Sequence, residues 1–331
     1  MRPRGTLVLT ALLPIALLAA LALGPVLTVG ESLAGLFGTG DDSTHVAIVR
    51  HVRLPRILVA SIVGGALGAA GAALQGLFRN PLADPSVLGV SGSAALVAQL
   101  AIFFGWATLV PLAIPVAAVI GALLATLLLA RLLARARGSA RELLLLAGVA
   151  LTQLAAAGSA LVVSLSVADY SRAQRMMAWL LGSLDGRTWT HVLWGAGPLV
   201  LLTFVLHRKA RELDALALGE ATALSLGVDV PRLERQVILS AAVLSGLSVA
   251  VAGIVGFVGL VVPHLVRRLS GASHRTVLVQ SALLGSLFLV ASDALARRLL
   301  APAELPVGVV TSAIGAPWFA FLLFRRLGRV R

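Results

Sequence analysis

Few side chains in this sequence have the type and spacing for chemistry, and those few point in different directions. Gly89-Val90-Ser91-Gly92 reads as GxSG, the pattern of a serine nucleophile, and His264 is the histidine that would have to act as its base. Four residues are a weak signal in a chain with 33 glycines, and hydrolysis needs the two side chains within about 3 Å. Asp293 and His264 are also the ionisable residues near membrane depth, where a proton-coupled transporter keeps its titrating groups. The histidines, His45, His51, His191, His207, His264 and His274, are scattered without ligand spacing, so no metal site and no catalytic residue is expected. There is no cysteine, which excludes disulfides and thiolate metal centres. Lys209 is the only lysine, and behind His207 and Arg208 it cannot belong to a glycine-rich phosphate loop, so any ATP chemistry must come from another chain.

The elements that must hold these residues are written in the composition. Of 331 residues, 59% are hydrophobic and 12% charged, with a mean hydropathy of +0.98. That charged share is about half of a soluble domain's. Apolar runs of about 20 residues, enough to cross a bilayer, recur from end to end and leave no interval for a soluble domain. The expected fold is all-α integral membrane, a single transmembrane domain over 1–331 with ten helices: 7–29, 56–78, 86–105, 110–132, 142–166, 190–208, 233–257, 259–271, 274–297 and 306–324. The eighth is too short to cross unless neighbouring irregular backbone completes the passage. The apolar run from Leu7 to Val29 exceeds a signal peptide's core of about 7–15 residues and reads as an uncleaved first helix.

A net charge of +13 does not mark a nucleic-acid binder here, because the arginines sit in short loops between spans. With the N-terminus in the cytoplasm, Arg131, Arg135, Arg137, Arg141, Arg208, Lys209, Arg211, Arg325, Arg326, Arg329 and Arg331 fall inside. Arg50, Arg53, Arg56, Arg172, Arg175, Arg187, Arg297 and Arg298 fall outside, a minority of the 27 Lys and Arg residues. The positive-inside rule thus places both termini in the cytoplasm.

Between Ala73 and Gly92 the apolar pattern is interrupted by Arg79, Asn80, Asp84 and two prolines, Pro81 and Pro85. Proline has no backbone donor and disfavours helix in the residue before it, so the segment separates two helices. In a bilayer such a break lies at the surface, within protein or beside water. An offset of 182 residues sets Gly64 on Gly246, Ala70 on Ala252, Gly71 on Gly253, Pro81 on Pro263, Gly89 on Gly271 and Ser91 on Ser273. Five spans separate the copies, an odd number, so the repeat is inverted in the membrane, as in alternating-access transporters. Gly64 and Gly68, and Gly253, Gly256 and Gly259, add the small-residue spacing of closely packed helices.

RLPR at 53–56 is followed by GALGAAGAALQGLFRNPLADPSVLGVSG up to Gly92, WLLGSLDG (179–186), GLVVPHLVRRLSGASHR (259–275), SDALAR (292–297) and ELPVGVVTSAIGAPWFAFLL (304–323). From about residue 50 onward the chain thereby resembles the iron-chelate and cobalamin permease family of bacterial ABC importers, the FecCD and BtuC type. The resemblance implies a ten-helix permease with inverted halves, helices two to five against seven to ten, in the bacterial inner membrane. It implies a homodimer working with two ATP-binding cassette subunits and a periplasmic substrate-binding protein. This chain would bind no cofactor, ATP and Mg²⁺ residing on the ATPase. The implied cargo is a bulky iron complex, ferric siderophore or haem, moved from periplasm to cytoplasm, with cobalamin as the alternative. Gln75, Arg79, Asn80, Pro81, Asp84, Pro85, Pro263 and His264 carry the motif.

Three sites follow. The cytoplasmic loop 213–233 is expected to hold short helices whose apolar face is Leu216, Leu218, Ala221, Leu224 and Leu226, flanked by Gly219 and Gly227. By the resemblance these are coupling helices seated in clefts of the ATPases, and Glu220, Asp229 and Glu234 argue against a helix lying on anionic lipid. By the same resemblance Arg53, Arg56 and Arg297 pair with carboxylates of the binding protein, where guanidinium groups give bidentate contacts and steering. The translocation path is expected along helices five and ten, which offer Thr152, Gln153, Ser159, Ser164, Thr311 and Ser312. The segment 167–189, with Asp169, Arg172, Arg175, Met176 and Met177, is the expected periplasmic gate.

Overall fold

The computed structural model describes residues 3–22, 28–37, 43–106, 110, 112–135 and 140–327. Among the described residues every regular element is helical. α1 (Pro3–Ala22) is followed by a short α2 (Val29–Phe37). α3 (Ser43–Ala47) passes through a π-helical turn, Ile48–Arg53, into α4 (Leu54–Leu77). The π turn stands just before Pro55, which has no N–H to give an ordinary helical bond. A 3₁₀ turn, Pro85–Leu88, leads into α5 (Val90–Phe103). Next come α6 (Ala113–Arg135), α7 (Ala140–Leu165), α8 (Tyr170–Leu180) and α9 (Trp189–Arg208). Two short helices, α10 (Ala210–Ala217) and α11 (Glu220–Ser225), precede α12 (Val230–Ala252). α13 (Val258–Ser270), α14 (His274–Leu299) and α15 (Val307–Leu327) complete the chain.

Each expected span has a helix, but among the described residues only seven are long and apolar enough to cross a membrane. These are Gly5–Ala22, Thr44–Leu77, Ala113–Leu132, Leu146–Leu165, Trp189–Arg208, Val230–Ala252 and His274–Leu299. Val90–Phe103 and Val307–Phe321 are shorter apolar helices, and α13 has 13 residues. Two boundaries are corrected. The first helix is described to Ala22, residues 23–27 lie outside the described residues, and it does not reach Val29, because Thr28 is not helical and Val29 opens a separate helix. The span expected at 233–257 starts three residues earlier, where Asp229 accepts from the Arg232 amide (3.0 Å), and ends at Ala252. Arg137, Arg329 and Arg331 also lie outside the described residues.

The centre of the bundle is the pair α4 and α14, running side by side in opposite directions. A Cβ on Gly64 would run into the Gly285 carbonyl, and one on Gly68 into the Ser281 carbonyl, so only glycine allows this approach. In a membrane such contact supplies the attraction that water would otherwise drive. The unwound backbone between α12 and α13 is enclosed by protein: Ser183 N donates to Ala252 O (2.9 Å) and Ile254 N to Trp179 O (3.4 Å). The WLLGSLDG segment therefore covers the break and satisfies polar groups that lipid could not.

Candidate coupling and translocation site

At the end of α9 the chain turns through Lys209 into α10, which packs against α4 and α14. Ala210, Leu213 and Leu216 of α10 and Ala223 of α11 enter the core. The other side is bare: Leu218, Leu224 and Leu226 are 71%, 55% and 63% exposed, with Glu220 and Ala221 exposed beside them. The apolar face expected at 216–226 thus divides. Leu216 lies three residues after Leu213, on the inner side of the helix, and anchors it instead of facing out. Gly219, at φ +121°, makes the corner between the two helices, and Gly227 turns at φ +79°.

A polar tie fixes this unit to the bundle. Asp214 accepts from the His274 amide (2.8 Å) and from His274 Nδ1 (2.7 Å) at the first turn of α14. A carboxylate there meets free N–H groups and the positive end of the helix. Sequence reasoning missed both residues, which stand sixty positions apart. The available signal was Ser273-His274 opening a helix without a carboxylate of its own.

A cavity of about 550 Å³ opens between α5, α7 and α8. Thr152, Ser159 and Ser164 meet there with Gly92, Ala155, Met177, Leu180 and Ile254. Gln153 is exposed and does not line it. Thr311 is buried and donates to Gly308 O (3.1 Å), while Ser312 stands beside Gly256, so neither reaches this cavity. Thr152 likewise donates to Gly148 O of its own helix (2.8 Å). The wall thus consists of small and apolar side chains with a few hydroxyls.

The expected gate divides similarly. Met177 lines the cavity, but Met176 is buried in a small core with Ile102 and Val162. Asp169 caps α8; the Ser171 hydroxyl (2.8 Å) and the Arg172 amide (3.1 Å) hold its carboxyl below the ordinary value. Arg187 lies over the Trp179 ring at 5.5 Å and donates to Ser183 O (3.2 Å); burial pushes it down to about 10.

Arg53, Arg56 and Arg297 do come together, but they face inward. Arg56 donates to Asp293 Oδ1 through Nε (3.0 Å) and Nη2 (2.8 Å), and through Nη1 to Glu304 (2.7 Å). Arg297 Nε holds Asp293 Oδ2 (3.1 Å). Arg297 also donates to Ala20 O (3.1 Å) and Arg53 to Leu21 O (3.0 Å) and Ser32 Oγ (2.8 Å). The expected rim of guanidinium groups is corrected to an internal ion cluster that also bonds two carbonyls of α1. Only Glu304, with its side chain 35% exposed, brings the cluster to the surface.

The motif residues fasten helices. Gln75 Nε2 donates to Gly259 O (3.2 Å) and Leu260 O (3.1 Å), and Arg267 bonds Gln75 Oε1 and Ala72 O. Arg79 turns the chain at φ +50°, Asn80 accepts from Leu82 N (2.9 Å), and Asp84 caps the 3₁₀ turn that Pro85 begins. Pro263 is buried within α13, and the His264 ring meets Trp318 edge-on at 5.9 Å. Ser91 is hydrogen-bonded to Ser245 of α12 (2.8 Å), and both oxygens of Asp293 are held by arginine.

Residues 12–325 match the FecCD transport family. The chain belongs to that family. As a FecCD-type protein it is the multi-pass permease of an ABC importer. The hemin transport system permease HmuU of Yersinia pestis is 40% identical over 87% of this chain and 86% of its own length. The vitamin B12 import system permease BtuC of Vibrio cholerae is 42% identical over 90% of this chain and 89% of its own. A solved structure described as an inward-facing conformation of a metal-chelate type ABC transporter is 31% identical to this FecCD chain. It superposes with a TM-score of 0.86 over 98% of this chain and 99% of its own.

Proposed function

We propose that two copies of this chain, two ATP-binding cassette subunits and a periplasmic binding protein move a bulky iron complex, ferric siderophore or haem, into the cytoplasm by alternating access. The observation that carries the reading is the bare leucine cluster of Leu218, Leu224 and Leu226, tied through Asp214 to α14. Such a cluster fits a cleft in a soluble partner, and the tie passes the partner's motion to the centre of the bundle. Lys209, the only lysine, is paired with Glu212 (2.9 Å), which supports leaving nucleotide chemistry to that partner.

In this reading α1, α4 to α7, α9 and α12 to α15 cross the membrane, with both termini cytoplasmic and α4–α7 related to α12–α15 by inversion. The packing supports the inversion: α4 lies on α14 as α12 lies on α6, and α5 meets α6 as α13 meets α14. Exposed Leu146, Leu154 and Leu161 on α7 and Ile314 and Phe321 on α15 supply an apolar surface for the second copy, which would complete the cavity into a path. The binding protein would dock at the end carrying Arg53, Arg56 and Arg297, meeting the cluster where Glu304 reaches solvent. With no strong ligand on the wall, specificity falls to the binding protein and force to ATP.

The test is uptake into liposomes of haem, a ferric siderophore and cobalamin side by side, with the cognate ATPase and binding protein. Uptake of an iron complex is expected; uptake of cobalamin alone would move this FecCD chain to the B12 branch.

A further inference from the structure

Away from the translocation wall, α4, α9 and α14 leave an apolar crevice of about 430 Å³ between them. It runs along α9 from Leu199 to His207, about 12 Å of helix, and opens sideways, where Val200 and Phe204 are exposed. The depth comes from small residues, with Gly65 and Ala282 facing each other across the floor. One end is basic. His207 lines the crevice there, Arg208 stands over the Phe204 ring at 6.0 Å, and Arg275 of α14 is the charged neighbour of His207. Arg208 and Arg275 are exposed, and His207 Nδ1 is buried without a hydrogen-bond partner among the described residues. The carboxylates that follow α9 do not neutralise this end, because Glu212 is held by Lys209 and Asp214 by His274.

We propose that this crevice seats one acyl chain of an anionic phospholipid, with its phosphate held by His207, Arg208 and Arg275. Basic pockets between membrane helices recognise anionic headgroups in this way, and the apolar slot supplies what a free phosphate would not use. The ligand would sit directly beside Lys209, the joint between α9 and the short helix α10, and would steady that joint. The site depends only on the helices lying in a bilayer, not on the cargo.

The test is native mass spectrometry of the purified chain with phosphatidylglycerol and phosphatidylcholine carrying the same acyl chains. Phosphatidylglycerol should be retained over phosphatidylcholine. Arg208→Gln and Arg275→Gln should each lower its retention by about fivefold while leaving phosphatidylcholine unchanged. Thr203→Phe, which fills the crevice, should lower retention of both lipids. Arg232→Gln, an exposed arginine near the same end, should change nothing. Equal retention of the two lipids or no loss in the arginine variants would overturn the anionic site, and the same loss in Arg232→Gln would overturn it in favour of general attraction to the leaflet. Should Thr203→Phe not fold, the surface arginines decide alone.

Discussion

Asp293 is the residue on which most of the buried charge depends. At 1% exposure it accepts from both Arg56 and Arg297, and neither guanidinium has another carboxylate as well enclosed. Removing one partner of a buried ion pair leaves an uncompensated charge and costs about 3–5 kcal/mol. Asp293→Asn should therefore lower thermal stability in detergent by about that amount. Glu304→Gln, at the exposed edge of the same cluster, should cost no more than about 1 kcal/mol. The sequence makes the arginines conspicuous in RLPR and SDALAR, yet it points them outward. Asp293 stands one helical turn before Arg297, but the partners of Arg56 lie 237 and 248 residues along the chain, a distance that pattern reading does not bridge.

Among the elements, α10 and α11 separate anchoring from contact. Leu216→Ala should cost about 2–5 kcal/mol in unfolding, as a buried leucine truncation does. Leu218→Asp with Leu224→Asp should leave the melting temperature unchanged and abolish co-purification of the ATPase. Asp214→Asn weakens the tie to α14 and should reduce transport per ATP hydrolysed while keeping the complex together, measured as cargo moved against phosphate released. The loop's helical, apolar character was legible from its leucines and flanking glycines; which leucine faces in depends on how α10 meets α4. α8 carries a pH dependence. Because Asp169 titrates lower in the fold than when unfolded, its support is complete above about pH 4 and is lost as pH falls through the folded value. Amide exchange at Arg172 and Ala173 should quicken across that window, and Asp169→Asn should remove the change.

For the molecule as a whole, the class and the helix order were legible because lipid requires a spanning segment to satisfy its own backbone hydrogen bonds, and apolar runs of about 20 residues do so as helices. The exceptions have local causes. Thr28 is not helical and Val29 opens a separate helix, while Arg53 and Arg297 from distant helices bond the Leu21 and Ala20 carbonyls of α1. α12 stops at Ala252 because the 179–183 segment supplies partners for unwound backbone. Thr152, Ser159 and Ser164, singled out on one helix, do line one cavity, whereas Ile254, which a distant segment brings to the same cavity, carries no polar signal in the sequence. The measurement that bears most directly on an importer driven through α10 and α11 is uptake of haem and of a ferric siderophore, side by side, into proteoliposomes enclosing the ATPase, with the binding protein outside. The account predicts uptake that requires ATP and vanishes in Leu218→Asp with Leu224→Asp. Uptake driven by a pH gradient without the ATPase, or unaffected by that double substitution, would contradict it.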